Sequence, residues 1–240
     1  MNFSRSLGHF LESRQTFLGN IVKDLRKTPI PDRAGTIVAT AQFAEPEQLT
    51  IPLMMNCSMH IGHSKSYWNP AMAKYILGER HGVHVIDLDK TLACLRQACT
   101  VVSELAMHGG KILFVGTGQR IQRLVYETAL FCNQYYVNRR WIGGTITNGL
   151  NVLQADIKPD LVIIFDLLQN TVAAKECYEA NVPVIAICDT NCDPKYVTYP
   201  IPSNDESLPA IELIARSLAL AAKRGEERRT LISGMELQRA

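Results

Sequence analysis

The sequence has no long hydrophobic run, no paired cysteine motif and almost no net charge. Its apolar runs, such as Ile112–Val115 and residues 161–165, are far shorter than the roughly 20 residues that a membrane-spanning helix needs. None of the seven cysteines forms a C-x-x-C pair, and an odd number does not close a set of disulfides. Because Lys and Arg exceed Asp and Glu by a net charge of only +2, any nucleic-acid site is predicted to be local.

The composition is that of a folded protein with buried thiols. Hydrophobic residues make up 47% of the chain, which is near the globular average and excludes disorder as the overall state. Cys94, Cys99, Cys177 and Cys188 lie inside apolar segments, and we therefore expect reduced, buried thiols in an intracellular protein. Residues 1–157 carry a net charge of +5, so one part of the surface can attract a polyanion.

Residues 1–56 are predicted to form a basic arm and linker. Residues 1–33 contain six basic and three acidic residues, and the prolines at 29 and 31 interrupt any helix. The Arg and Ser content is compatible with a mitochondrial targeting segment, although Glu12 and Asp24 argue against one. A basic arm that lies on a partner is the alternative.

Residues 57–225 are predicted to form a doubly wound α/β domain, followed by a tail over residues 226–240. Apolar strands are expected at residues 83–87, 111–116, 161–165 and 184–187. Helices separate them, and the last is expected to end near Arg224. Fully apolar strands that alternate with helices indicate a parallel sheet covered on both faces. Ligands of such sheets bind beyond the carboxyl ends of the strands, here after Asp87, Gly116, Asp166 and Asp189.

One of these strand ends is similar to an enzyme motif. Residues 87–91 have the D-x-D-x-T pattern of haloacid-dehalogenase-like phosphatases, in which the first Asp is the nucleophile and the second the acid or base. Asp189 and Asp193 would offer further carboxylates for Mg²⁺. A magnesium-dependent phosphohydrolase that uses Asp87 and Asp89 is therefore an alternative function. Against it, Asp89 also suits an ordinary helix N-cap, and no lysine stands at a clear strand end.

Two further patterns indicate ligand sites more weakly. Gly116-Thr117-Gly118 lies between a strand and a helix, as in a phosphate-binding turn, but the third glycine of the dinucleotide fingerprint is missing. Cys57, His60 and His63 recur at three-residue steps, with Cys188 and Cys192 elsewhere in the chain. This spacing is compatible with a structural zinc, although we predict no metal and no cofactor.

Two other segments combine basic, aromatic and small polar residues. They cover residues 60–70 and 136–148, and the candidate contacts in them are His63, Lys65, Trp68, Asn69, Arg139, Arg140, Trp141 and Asn148. Cations bind phosphates, and aromatic rings stack on unpaired bases. The alternatives are that each tryptophan covers an edge of the core and that the two arginines are solvated or clamp a carboxylate.

The same segments resemble the universal small-subunit ribosomal protein 2 family in its bacterial and organellar form. The similarity covers about 165 of the 240 residues in order. It runs through residues 62–63, 68–72, 75–78, 84–91, 112–117, 136–148, 159–160, 189–194 and 199–205. It therefore accounts for residues 87–91 as part of a ribosomal motif with no catalytic role.

The resemblance implies a flavodoxin-like three-layer α/β/α domain with a mostly parallel sheet and no enzymatic activity. It further implies a structural role in the small ribosomal subunit, with small-subunit rRNA and neighbouring ribosomal proteins as partners and neither a membrane nor a small-molecule substrate. A ribosome-free protein-binding module on the same domain is a further alternative.

The sequence also departs from the bacterial form of this family. Bacterial members carry a long helical hairpin where this chain has the ten residues 149–158, and they usually carry a lysine at the position of Gly118. A bacterial-type core, a missing hairpin and a basic arm together resemble a mitochondrial ribosomal protein, so the expected location is the mitochondrial matrix.

Overall fold

The computed structural model describes residues 49–149 and 158–237. Residues 1–48 of the predicted arm and linker over residues 1–56 therefore lie outside the described residues, as do residues 150–157 and residues 238–240 of the predicted tail. The helices are α1 (Ile51–Asn56), α2 (Leu88–Met107), α3 (Gln122–Phe131), α4 (Thr171–Glu179) and α5 (Leu208–Leu237). The strands are β1 (Ile61–Ser64), β2 (Ile76–Arg80), β3 (Val83–Ile86), β4 (Ile112–Val115), β5 (Tyr135–Val137), β6 (Leu161–Ile164), β7 (Val184–Cys188) and β8 (Tyr199–Pro202). Short 3₁₀ helices cover Lys65–Tyr67, Pro70–Tyr75 and Pro194–Tyr196.

Five strands form a parallel sheet in the order β5-β4-β6-β7-β8. Its first strand in sequence, β4, lies second in the sheet, and the chain reverses direction across the sheet between β5 and β6. This is the flavodoxin-like strand order, and the predicted flavodoxin-like α/β/α fold is confirmed. The reversal places the loops after β4 and β6 side by side at the carboxyl edge of the sheet.

The three central parallel strands, β4, β6 and β7, are apolar throughout because both faces of the sheet are buried there. Ile112 and Phe114 of β4 pack in a cluster with α2, α3 and α5. Leu113 and Val115 point the other way and pack with α4. Since successive side chains of a strand alternate between faces, a strand covered on both sides has no polar position.

The strand β3 belongs to a separate antiparallel sheet, in the order β1-β3-β2, and not to the parallel sheet in which it was predicted. A two-residue turn joins β2 to β3, and its residues His81 and Gly82 have φ angles of 53° and 77°. Two positive φ angles are typical of the type I′ hairpin turn. This hairpin pairs β3 with its nearest neighbour in sequence and so keeps it out of the parallel sheet.

The edge strands β5 and β8 were not predicted from the sequence. Strand β5 has only three residues, and β8 contains Pro200 and Pro202. Proline cannot donate a backbone hydrogen bond and is found in strands mainly at sheet edges. In β8 it fits because this strand pairs with β7 alone.

The final helix continues past its predicted end at Arg224 to Leu237. Gly225 lies within it and is buried, because α5 packs closely on α2 at this position. At the other end, Leu49 and Met54 are buried in the core. The division into residues 1–56, 57–225 and 226–240 stays a prediction, but Leu49 and Met54 before residue 57 belong to the core, and α5 continues beyond residue 225.

The cysteines of the chain are unpaired, and most of them are buried. All seven cysteines are free thiols; Cys99, Cys177 and Cys188 are buried as predicted, whereas Cys94 is half-buried. Burial raises the pKa of Cys99 to about 12. Among the described helices, none is both long enough and apolar enough to cross a membrane.

Candidate functional site

The loops after β4 and β6 are joined by a buried carboxylate. Asp166 accepts hydrogen bonds from the backbone nitrogens of Thr117 (3.1 Å) and Gly118 (2.8 Å), and the side-chain amide of Asn170 donates to it as well. Burial raises the pKa of Asp166 even though these donors favour the charged form. The backbone amides of the predicted phosphate turn therefore bind an internal carboxylate, and in this arrangement they have no free donor for a phosphate.

A second group of polar residues lies at the carboxyl end of β7. His63 Nδ1 lies 3.1 Å from Asp189 Oδ2, and the backbone nitrogen of His63 donates to Thr190 Oγ1 at 2.9 Å. The backbone nitrogen of Asp205 donates to Asp189 Oδ2 at 3.2 Å. Segments that are far apart in sequence, at residues 63, 189–190 and 205, thus converge on one buried carboxylate.

The environment of this group changes the charge states of His63 and Asp205. Burial by itself would lower the pKa of His63, but the negative charges of Asp189, Asp205 and Glu206 outweigh it, and the pKa lies above the ordinary 6.5. Burial, together with the charge of Asp189, raises the pKa of Asp205 to about 6. One nitrogen and two carboxylate oxygens lie within 4.8 Å of one another here, a donor set that could hold a divalent cation.

The described residues contain no other such group of possible metal ligands. Cys57 and His60 do not join His63 in it, so the predicted Cys57, His60 and His63 set does not converge. Cys188 and Cys192 are buried in the core on the face that α4 covers. The carboxylates around His63 could not be found from residue spacing, because they follow different strands.

Substitution of Asp205 by asparagine is expected to stabilise the metal-free protein at pH 8. The pKa of Asp205 is raised from its ordinary 3.8 to about 6 in the folded state. The contribution of this carboxyl group to stability is therefore fully present below pH 3.8 and is lost as the pH rises through about 6. Asparagine removes the charge that faces Asp189. In buffer with EDTA, urea unfolding at pH 8 should show a higher midpoint for Asp205→Asn than for wild type, and the difference should vanish or reverse at pH 4.

The matched control is Glu206→Gln. The Glu206 carboxylate lies 3.5 Å from His63 Nε2, and the Glu206 side chain is 71% exposed. Removal of its charge should therefore change the urea midpoint little at either pH. A lower midpoint for Asp205→Asn at pH 8 would contradict the assigned repulsion.

The residues of the phosphatase-like motif have structural roles. Asp87 caps α2 by accepting from the backbone nitrogen of Asp89 at 3.1 Å, and it lies 3.1 Å from Lys90 Nζ. Asp193 caps a 3₁₀ helix by accepting from the backbone nitrogen of Lys195 at 3.0 Å. Asp87 also follows a strand of the antiparallel sheet and not a strand of the parallel sheet.

The first basic–aromatic segment, residues 60–70, packs beside the end of β7. The backbone nitrogen of Asn69 donates to the Thr190 carbonyl at 2.8 Å, and its side chain caps the following 3₁₀ helix through Ala71. The ring of Trp68 meets His84 edge-on, with 5.3 Å between centroids, and remains 39% exposed. Lys65 is exposed and its Nζ lies 2.8 Å from Glu79.

The second basic–aromatic segment, residues 136–148, is held by Glu176 of α4. One Glu176 oxygen accepts from Trp141 Nε1 at 3.0 Å and from the Gly144 nitrogen at 3.1 Å. The other accepts from the nitrogens of Ile146 at 2.7 Å and Thr147 at 3.0 Å. Burial alone would raise the pKa of Glu176, but these four donors outweigh it, and the pKa lies below its ordinary value.

These bonds favour one of the two interpretations of Trp141. It is half-buried, packs against the core on the face covered by α4, and is fixed by Glu176, so the residue covers an edge of the core. Arg139 and Arg140 just before it are exposed, as is Asn148 at the end of the segment. Glu176 was not predicted as a functional residue, because an isolated glutamate in an amphipathic helix gives no sign that it will anchor a distant segment.

The core cluster on the α4 side of the sheet contains one residue of the second segment and one that follows the first. Met72, which follows the first segment, and Trp141 of the second belong to one cluster with α4. The eight candidate residues differ in exposure. Three of them are half-buried and five are exposed: His63, Asn69 and Trp141 in the first group, and Lys65, Trp68, Arg139, Arg140 and Asn148 in the second.

Comparisons with known proteins identify relatives of one kind. A sequence model of the family described as "Ribosomal protein S2" matches residues 54–158 and 151–225. The chain is 39% identical over 202 residues to "Small ribosomal subunit protein uS2m" of Schizosaccharomyces pombe, covering 75% of this chain and 77% of that protein. It is 33% identical over 223 residues to "Small ribosomal subunit protein uS2" of Koribacter versatilis, covering 75% and 74%. The uS2 protein of Phenylobacterium zucineum is 34% identical over 227 residues, 77% of each chain. These relatives give the phosphohydrolase alternative no support.

Proposed function

Because the chain belongs to the ribosomal protein S2 family, we propose that it is a structural constituent of the mitochondrial small ribosomal subunit. In this role it binds small-subunit rRNA and neighbouring ribosomal proteins during translation. The mitochondrial location is supported by the similarity to uS2m of Schizosaccharomyces pombe. The basic residues of segment 1–33 and the short connection over residues 149–158 favour it as well.

The observation that carries the proposal is the fixed, exposed arginine pair. Arg139 and Arg140 are exposed, and the residues that follow them are held to Glu176 by four hydrogen bonds from nitrogen donors. A fixed backbone lowers the entropy lost when the guanidinium groups bind. Arginine forms paired hydrogen bonds with phosphate, so this segment suits an RNA backbone.

The segment over residues 60–70 adds a different kind of contact. Lys65 offers a cation, and the neighbouring rings of Tyr67 and Trp68 are 73% and 39% exposed. Exposed rings beside a cation suit unpaired bases and their phosphates. His63, Asn69, Trp141 and Asn148 complete the proposed contact set, in which Asn69 and Trp141 position their neighbours.

We propose no enzymatic activity for the chain, because the carboxylates that would carry phosphoryl transfer already serve the fold. Asp87 caps α2 and pairs with Lys90. Asp193 caps a 3₁₀ helix by accepting from the Lys195 nitrogen, and Asp189 accepts from the Asp205 nitrogen. The proposed role requires neither a cofactor nor a small-molecule substrate.

The double substitution Arg139→Ala with Arg140→Ala is expected to weaken incorporation into the small subunit while the fold persists. Exposed arginines contribute little to core stability, but each removed phosphate contact weakens RNA binding. Tagged variants would be expressed in cells, and mitochondrial lysates sedimented on sucrose gradients. The variant should shift from the small-subunit fractions towards the top of the gradient.

The matched control replaces Arg123 and Arg216, each of which pairs with a glutamate one helical turn away. This control removes the same charge and should sediment like wild type. Unchanged co-migration of the Arg139 and Arg140 variant, with unchanged thermal unfolding, would refute the contact. A wild-type chain that never enters the small-subunit fractions would refute the proposed function.

A further inference from the structure

A polar groove runs between α2 and α5, away from the two basic–aromatic segments. It encloses about 460 Å³, and its lining includes Arg96, Thr100, Ser103, Glu104, Arg224 and Arg228. Helix α2 ends at Met107, shortly before β4 begins at Ile112. The C-terminal part of α2 therefore lies towards the edge where the parallel strands begin. The predicted contact segments instead follow strands or pack at the opposite edge.

The close approach of the two helices assembles this groove. A Cβ atom on Gly225 would lie 2.2 Å from the Ser103 carbonyl oxygen and 2.8 Å from Ala106 Cβ. The backbones of α2 and α5 are therefore in direct contact at Gly225. Arg224 and Arg228 are four residues apart and lie on one side of α5, and this contact brings them into the same groove as Arg96 of α2.

The groove has the chemistry of an anion site. Three guanidinium groups and one carboxylate, Glu104, give its lining a net charge of +2. The hydroxyl of Ser103 adds a hydrogen-bond donor for a phosphate oxygen. The Thr100 hydroxyl already donates to the Arg96 carbonyl at 3.0 Å, so its lone pairs can accept only from a donor such as a ribose 2′-hydroxyl. The lining contains no aromatic ring, so nothing in it could stack on an unpaired base.

We propose that this groove binds the sugar–phosphate backbone of double-stranded RNA, as a second RNA contact at the opposite edge of the sheet. Guanidinium and hydroxyl groups are typical ligands of phosphate oxygens. A duplex presents its phosphates outward and keeps its bases stacked, so it suits a site with cations and no ring. This assignment rests on the proposed function, in which the chain lies on rRNA.

The proposal predicts a change in the salt dependence of RNA binding. Each neutralised phosphate of a duplex contributes about 0.9 to the slope of log affinity against log salt. Loss of two contacts should therefore reduce the slope by roughly 1.8. Between 50 and 200 mM KCl, wild type should lose roughly 12-fold more affinity than a variant without the two contacts.

The test uses the purified full chain and a fluorescein-labelled RNA duplex of about 20 base pairs, with binding followed by anisotropy at several KCl concentrations. The variant is Arg96→Gln with Arg228→Gln, which leaves Arg224 in place. The control is Arg123→Gln with Arg216→Gln, which removes the same charge elsewhere. The groove variant should bind more weakly with the smaller slope, whereas the control should keep the wild-type slope.

Three outcomes would overturn the groove assignment. The groove variant and the control could have equal slopes. The groove variant could lose affinity for vesicles of anionic phospholipid while its RNA slope stays unchanged, which would assign the groove to a membrane surface. It could also lose affinity for a single-stranded oligonucleotide but not for the duplex.

Sucrose gradients keep the two proposals separable. If wild type enters the small-subunit fractions but the slopes are equal, the groove assignment fails and the proposed function stands. If the slopes differ as expected but wild type stays outside those fractions, the groove is an RNA site and the ribosomal role fails. Thermal unfolding of the groove variant should stay close to that of wild type, because Arg96 and Arg228 are both exposed.

Discussion

Replacement of Gly225 by alanine is expected to destabilise the protein by about 2–4 kcal/mol. Alanine is the best helix former and glycine costs about 1 kcal/mol in a helix interior, so helix propensity alone predicts the opposite sign. The added Cβ would lie 2.2 Å from the Ser103 carbonyl oxygen and 3.0 Å from the Met107 nitrogen. Both are backbone atoms of α2, and the two helices must move apart to admit it.

The sign of the change in stability distinguishes the effect of helix–helix packing from the effect of helix propensity. For a chain of this length, the expected loss corresponds to a fall in Tm of roughly 5–15 °C, measurable by circular dichroism. Valine at the same position should lower Tm further because it adds two more carbon atoms. The control is Gly78→Ala, since a Cβ at Gly78 meets nothing within 4 Å. A Gly225→Ala protein as stable as wild type would show that α2 and α5 are not in backbone contact.

Replacement of Glu176 by alanine is expected to cost about 3–5 kcal/mol and to release the segment over residues 139–148. The substitution removes the acceptor for the Trp141 indole and for the backbone nitrogens of Gly144, Ile146 and Thr147. Each donor must then find water or remain unsatisfied. Arg139 and Arg140 would lose their fixed position, and we expect the variant to enter the small subunit poorly even where it remains folded.

Tryptophan fluorescence can report the release directly. The chain has two tryptophans, so a Trp68→Phe background leaves Trp141 as the reporter. In Glu176→Ala its emission should shift to longer wavelength as the ring becomes more exposed to water. The control is Glu179→Ala on the same helix, whose carboxylate is exposed and lies 3.9 Å from Lys175 Nζ. Equal emission spectra for the two variants would contradict the anchoring role of Glu176.

The same carboxylate should make stability depend on pH. A folded-state pKa below the ordinary 4.5 means that the stabilisation is present above 4.5 and is lost as the pH falls through the folded-state pKa. The difference in unfolding free energy between wild type and Glu176→Gln should therefore be largest near pH 7. It should shrink as the pH falls below about 4.5, and a constant difference would contradict the assignment.

The core of the fold was predictable because the three central strands of the parallel sheet, β4, β6 and β7, are continuous apolar runs. Ile112–Val115 and the strand that begins at Leu161 are buried on both faces, as expected for strands of a covered parallel sheet. Strand β3 has a similar run but pairs in the antiparallel sheet through the turn at His81 and Gly82. Its neighbours in the fold are set by this two-residue turn, which hydrophobicity alone does not reveal.

The candidate site was predictable in its segments but not in its contacts. Residue types at 60–70 and 136–148 indicated RNA binding, and Arg139 and Arg140 are exposed as that interpretation requires. Trp141 instead donates to Glu176 at 3.0 Å, and the backbone amides of Thr117 and Gly118 bind Asp166. Each of these pairs joins residues more than 30 positions apart, so no local pattern records them.

The sequence by itself determined the layered α/β architecture, the free thiols and the family to which the chain belongs. The architecture follows from hydrophobic periodicity, which decides which segments are buried. The family follows from motif residues that recur in the same order and spacing along the chain. The tertiary structure decided which polar groups are used within the fold and which lie exposed on the surface. A buried donor needs an acceptor within hydrogen-bond distance. Which acceptor lies that close depends on how the chain packs in space and not on separation along the sequence.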